Sequence, residues 1–272
     1  LLNQLLNLLK RKAAWSRVLS VYWLSLDWDF FCREESEWDW GHAETDLFQT
    51  AVWEIRAAQL ENPRKTTALL PYPKPFLKRL AAHLDFEGCR FLQAADSHKY
   101  AFRTFEEAYE GTILQIDAHH DIAYSARDTV DPNKVDCSNW LIQRLASRPN
   151  LKLVVVYPPW KGLREAADIH RLVPQEILSR VEFRVWPNLP PPGTVSGAFC
   201  CRSGGWAPPW HDRAFTRFLA GLEEVCGCSR QMVQELPVRK FSWKRVKALA
   251  GGIASLKDPT STARDRILEG VV

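Results

Sequence analysis

The sequence predicts an α/β protein, a three-layer sandwich built on a mostly parallel sheet, and three observations carry that expectation. Short apolar runs recur at residues 21–26, 91–93, 112–116, 151–157, 181–185 and 194–201, and most of the stretches between them show helical spacing. Charged and polar clusters follow several of these runs directly, which is where open parallel sheets bind ligands. The chain, 272 residues and 46% hydrophobic, is long enough to bury one large core.

In chain order, residues 1–18 read as an amphipathic appendage whose charges follow its apolar part, the wrong order for a signal peptide. Residues 19–250 form the expected domain. Its first strand, 21–26, ends at Asp27 and Asp29; a polar, aromatic loop occupies 38–46 and a helix 47–60. Pro71, Pro73 and Pro75 interrupt the chain before a second helical stretch, 76–84. Strand 91–93 leads to His98, and a helix over 100–110 returns the chain to strand 112–116, which together read as a β-α-β unit. Helix 138–146, strand 151–157, a helical stretch 163–178, strand 181–185 and strand 194–201 continue the alternation. A late helix carries Arg239, Lys240, Lys244, Arg245 and Lys247, expected as a solvated basic face. Periodicity fades from 251, so 251–272 reads as a tail.

Composition narrows the partners. Of 36 Lys and Arg against 32 Asp and Glu, four basic residues (Lys10, Arg11, Lys12, Arg17) fall within residues 1–20, which hold no acid, so the remainder is neutral. No recognition motif accompanies the charge, and nucleic acid is not expected as a partner. No apolar run approaches the roughly 20 residues that span a bilayer. The seven cysteines, Cys32, Cys89, Cys137, Cys200, Cys201, Cys226 and Cys228, are odd in number and scattered, which suits a reducing, cytoplasmic setting. Cys200-Cys201 and Cys226-Gly227-Cys228 are spaced too closely for a zinc knuckle and read as ordinary thiols.

The chemistry concentrates in Asp117-Ala118-His119-His120-Asp121, at the end of an apolar strand. Side chains two apart on an extended chain share a face, so Asp117, His119 and Asp121 can converge on one point. Asp27 and Asp29 repeat that spacing at another strand end. Two such ends side by side would make a metal site.

These residues resemble the ureohydrolase and deacetylase superfamily, which includes arginase, agmatinase, formiminoglutamase and the histone deacetylases. Asp117 to Asp121 match its Asp-Ala-His-x-Asp motif, His98 answers to the metal-binding His about two dozen positions upstream, and Asp27 and Asp29 match its Asp-x-Asp strand end. Asn139-Trp140 and Asp27-Trp28-Asp29-Phe30-Phe31 are closer still to an uncharacterised branch of the superfamily, over residues 21 to about 215. The resemblance implies an arginase-like or deacetylase-like fold and six metal ligands: Asp27, Asp29, His98, Asp117, His119 and Asp121. Four carboxylates and two imidazoles favour two divalent ions, Mn²⁺ first and Zn²⁺ second. In arginases the Asp-x-Asp strand comes late, whereas here it comes first. Either the fold is circularly permuted or Asp27 and Asp29 are misassigned.

The implied activity is hydrolysis of a non-peptide C–N bond (a guanidine, amidine or amide) in a small-molecule substrate by a metal-bridging hydroxide. A zinc-dependent deacetylase and a non-catalytic ureohydrolase-like binding module are the alternatives. His120 and His211 are the candidates for proton transfer, since residues 128–138 hold no histidine where arginases place their shuttle. Arg202 reads either as a clamp for a carboxylate or phosphate or as a structural salt bridge. Arg202, Asn139 and Trp140 are the expected substrate-side residues, within a tryptophan-rich end formed by Trp28, Trp38, Trp40, Trp140, Trp160, Trp206 and Trp210.

Overall fold

A computed structural model describes residues 20–33, 46–124, 134–167 and 169–257. The appendage at 1–18, the loop at 38–45 with Trp38 and Trp40, and most of the 251–272 tail lie outside the described residues.

Seven strands form one sheet: β1 (Ser20–Asp27), β2 (Leu92–Ala95), β3 (Gly111–Ile116), β4 (Leu151–Tyr157), β5 (Val181–Val185), β6 (Gly193–Cys201) and β7 (Arg230–Met232). Their order is β5-β4-β3-β1-β6-β2-β7, and every pairing is parallel. Among the described residues, eight α-helical segments accompany them: α1 (Asp46–Gln59), α2 (Pro63–Thr66), α3 (Pro73–His83), α4 (Ala101–Thr104), α5 (Trp140–Ser147), α6 (Gln175–Leu178), α7 (Asp212–Cys226) and α8 (Trp243–Lys257). None of the described helices is long and apolar enough to cross a membrane.

Alternation along the strands creates two cores, one on each face. Leu24, Leu26, Leu114, Ile116, Val154, Val156, Ala198 and Cys200 face α3 and α7. Their neighbours Trp23, Ile113, Leu153, Val155, Phe199 and Cys201 face α4, α5 and the turn of α6. Helix α7 shows why its segment is helical. Phe215, Phe218, Leu219, Leu222 and Cys226 fall on one buried stripe. Gly227 ends it at φ 65°, returning its N–H to the Glu223 carbonyl, a conformation glycine adopts without a Cβ penalty. In α3, Pro73 occupies the first helical turn, where a missing N–H costs nothing, so the helix starts earlier than its apolar pattern suggests.

Several sequence expectations change. The helix expected over 100–110 is only the single turn α4, which ends at Phe105 with its N–H returned to the Ala101 carbonyl, while Thr104 Oγ1 lies 2.6 Å from Gln93 Oε1. The following chain drops Phe105 into the core between Trp23 and Trp140. The stretch 163–178 is likewise broken into 3₁₀ turns and α6, with Pro174 at the break. The basic cluster is not uniformly solvated. Arg239 lies ahead of α8, is 5% exposed and pairs with Asp212 at 2.6 Å, while Arg245 on α8 pairs with Glu54 at 2.6 Å. Helix α8 itself continues through Gly251 and Gly252 to Lys257.

The β-α-β reading also needs adjustment, since β1 and β6 lie between β2 and β3. That insertion decides where the site forms. The first described strand, β1, sits at the middle of the sheet, with Leu26 level with Ile116 of β3 and Asp27 level with Cys201 of β6. On the far side of β6, Ala95 of β2 is level with Cys201 too. The carboxyl ends of β1, β2, β3 and β6 therefore meet at one height.

Candidate metal centre

All six expected ligands gather at this edge. His98 Nδ1 stands 2.7 Å from Asp121 Oδ2, 3.0 Å from Asp27 Oδ2 and 3.2 Å from Asp117 Oδ2. His119 Nδ1 lies 2.9 Å from Asp29 Oδ2 and 3.8 Å from Asp117 Oδ1. Asp117 thus turns one oxygen to each histidine. Ligand atoms converge in three groups: His98 with Asp117 and Asp121, His119 with Asp29 and Asp117, and His98 with Asp27 and Cys201.

The local geometry differs from simple strand alternation. Strand β3 stops at Ile116, and Asp29 lies in a 3₁₀ turn, Trp28–Phe31, after β1. Aspartate turns do the positioning instead. Asp27 Oδ1 accepts the Asp29 N–H (3.0 Å) and Asp117 Oδ1 accepts the His119 N–H (2.8 Å), each closing a two-residue loop. Asp121 then takes φ 49°, a left-handed conformation that aspartate tolerates better than most residues. Its N–H and that of His120 both donate to Tyr124 Oη, at 3.3 and 3.0 Å.

A surrounding layer holds the carboxylates. Gln115 Nε2 donates to Asp117 (2.5 Å) and Asp121 (3.2 Å), Trp140 Nε1 donates to Asp121 (3.1 Å), and Ser203 Oγ donates to Asp27. Ser25 Oγ contacts His98 Nε2 at 3.1 Å. Sequence reasoning missed Ser25, Gln115, Cys201 and Ser203. Ser25 and Gln115 sit two positions before Asp27 and Asp117 on the same strand faces, and that spacing was the available signal.

Burial seals five of the six expected ligands, with His119 the most open at 15% side-chain exposure. Trp206 lies 5.0 Å and Tyr124 6.5 Å from its ring, so the open side has aromatic walls. Burial pushes the Asp117 carboxyl well above the usual range, and the charges of Asp29, Asp27 and Asp121 push it further. Burial opposes charging His98, yet Cys201, Asp27 and Asp121 outweigh it and hold the imidazole well above its ordinary value. One Nδ1–H cannot serve three carboxylate oxygens. A hard cation can, and the donor set fits one or more divalent ions.

The other expected residues make contacts of a different kind. His120 is 3% exposed, accepts the Ile122 N–H on Nδ1 at 3.1 Å and stacks on Tyr124 at 4.2 Å; burial lowers its pKa to about 3. His211 Nε2 is held by the Thr67 carbonyl at 2.7 Å and its ring neighbours Trp210, so its contacts lead away from the carboxylates. Arg202 is 1% exposed and makes the salt bridge of the two readings, with Nε 2.7 Å from Asp96 Oδ1 and Nη1 2.6 Å from the Pro237 carbonyl. Asn139 fastens the loop before α5 through Asp136 N–H (2.9 Å) and the Lys134 carbonyl (3.0 Å). Trp28 packs on Phe31, Phe215 and Phe218, and Trp210 on Trp53, Phe241 and Trp243.

No family model, no curated protein and no solved structure matches this chain. What is established is therefore a parallel α/β fold carrying buried His and Asp clusters able to hold metal.

Proposed function

We propose that the chain is a metal-dependent hydrolase of the ureohydrolase and deacetylase type, cleaving a non-peptide C–N bond in a small molecule. The observation that carries the reading is Asp117, whose two oxygens face two separate histidine-carboxylate groups. A carboxylate so placed suits a pair of divalent ions about 3.5–4 Å apart, Mn²⁺ by donor hardness. Such a pair, when bound, supplies an acidified water and a polarised substrate carbon. The chain's part is to hold the carboxylates in place through Gln115, Trp140 and Ser203, and to admit substrate on the His119 side between Trp206 and Tyr124. The central position of β1 supports keeping Asp27 and Asp29 in the ligand set, with the altered chain order read as a permutation of the family's fold.

One observation favours the zinc-dependent deacetylase as a second reading: Cys201 brings a soft thiol to Asp27 and His98. Metal analysis of the purified chain, joined to a screen of guanidines, amidines and amides, separates the readings. Two Mn²⁺ per chain with turnover supports the first, and one Zn²⁺ with deacetylation supports the second. Metal bound without turnover on any member of the panel leaves a binding module. Asp117→Ala combined with His119→Ala is expected to abolish metal binding while the fold persists, and retained stoichiometry would remove the assignment.

A further inference from the structure

A second reactive cluster sits at the opposite end of the sheet. Cys89 lies just before β2, and Cys226 and Cys228 lie just before β7, so all three thiols occupy the amino ends of strands whose neighbours carry the metal ligands at their carboxyl ends. Cys89 and Cys226 belong to one packed buried cluster with Cys228 against it, and the Cys89 thiol donates to the Phe91 carbonyl at 3.4 Å. Cys89, Cys226 and Gly227 line a cavity of about 360 Å³, together with Ala81, Asp85 and Glu87. The spacing Cys226-Gly227-Cys228 alone read as ordinary thiols. The fold adds the third sulfur and the opening.

We propose that Cys89 is a peroxide-reactive thiol and that Cys226, across the same cavity, is its disulfide partner. The Cys89 thiolate attacks one oxygen of hydrogen peroxide; the S–O bond forms, the O–O bond breaks and hydroxide leaves. Cys226 then attacks the sulfenic sulfur, the S–S bond forms, and the departing hydroxide takes up a proton as water. Two thiols are oxidised and one peroxide is reduced to two waters. Asp85 and Glu87 at the cavity favour a small neutral oxidant over an anionic disulfide such as oxidised glutathione. The neighbouring Cys226 thiol first, then Cys228, lower the Cys89 pKa to about 7 against burial, whereas Cys89 and burial push Cys226 up and burial raises Cys200 and Cys201.

The test is chemical mapping of the full chain. With limiting iodoacetamide at pH 7, Cys89 is expected to be alkylated at least about tenfold faster than the half-buried Cys137, with a rate that rises through a pH of about 7. Brief hydrogen peroxide treatment followed by peptide mass spectrometry should give a Cys89–Cys226 disulfide, and Cys226→Ser should instead trap a sulfenic acid at Cys89. Alkylation of Cys89 no faster than Cys137, or a peroxide-induced disulfide that excludes Cys89, would overturn the proposal. A Cys89–Cys228 disulfide would overturn the choice of partner. The wild-type mapping stands even if a variant fails to fold.

Discussion

Two buried charge clusters share the carboxyl edge of this sheet, and they are built on opposite principles. In one, Asp96 and Asp212 meet Arg202 and Arg239, two charges of each sign. Arg239 adds bonds to the Gly204 and Ala207 carbonyls (2.5 and 2.8 Å), and Gln49 donates to Asp96 at 2.7 Å. In the other, four aspartates face two histidines. The carboxyl pKa values separate the clusters. Burial alone would raise Asp96, but Arg202 and then Gln49 and Arg239 bring it below the ordinary carboxylate value; Asp117 goes well above it. Buried charges persist only when paired or metal-bound. The balanced cluster is complete as protein and clamps the loop that carries Ser203 and Trp206. The unbalanced one leaves carboxylates in excess, an arrangement able to hold a metal ion.

Substitution should break the two clusters in different ways. The largest effect is expected from Arg239→Met, which leaves Asp212 buried without its main partner and should cost about 3–5 kcal/mol in urea unfolding. Next, Trp140→Phe removes a donor to Asp121 without touching a ligand, and metal affinity measured by calorimetry should fall about 10–100-fold with little change in the metal-free fold. A smaller and sharper contrast comes from carboxylate neutralisation in metal-free protein. Asp117→Asn should raise stability by about 1 kcal/mol through relief of repulsion, whereas Asp96→Asn should lower it by about 1–3 kcal/mol. Equal signs for the two would erase the distinction. The smallest effect is on acid stability. Because the folded-state pKa of Asp96 is depressed, its contribution is fully present above the unfolded value of about 3.9 and is lost as pH falls through the folded value, measurable as a steeper acid limb in wild type than in Asp96→Asn.

Much of this was legible in residue order. Apolar runs located six strands, lacking only the three-residue β7, whose Arg230 and Gln231 carry no apolar signature. The candidate ligands Asp117, His119 and Asp121 stood out because Asp, His and Asp at two-residue spacing rarely follow a buried strand without reason. Their approach to Asp27 and Asp29 was not legible, since it depends on β1 inserting between β3 and β6, a property of sheet order and not of local pattern. Arg202 was ambiguous and Arg239 was read as solvated for the same reason: nothing near either residue in sequence announces Asp96 or Asp212 as its partner. Gln115 and Ser25 gained a role only when the strand ends were brought together, where they contact Asp117, Asp121 and His98.

The most direct measurement is a divalent-metal titration of the metal-free wild-type chain beside Asp117→Ala, with bound metal counted per chain. Two equivalents in wild type, with the loss of both in the variant because one carboxylate serves both groups, is the predicted result. No bound metal in wild type, or a variant that binds as wild type does, would contradict the account.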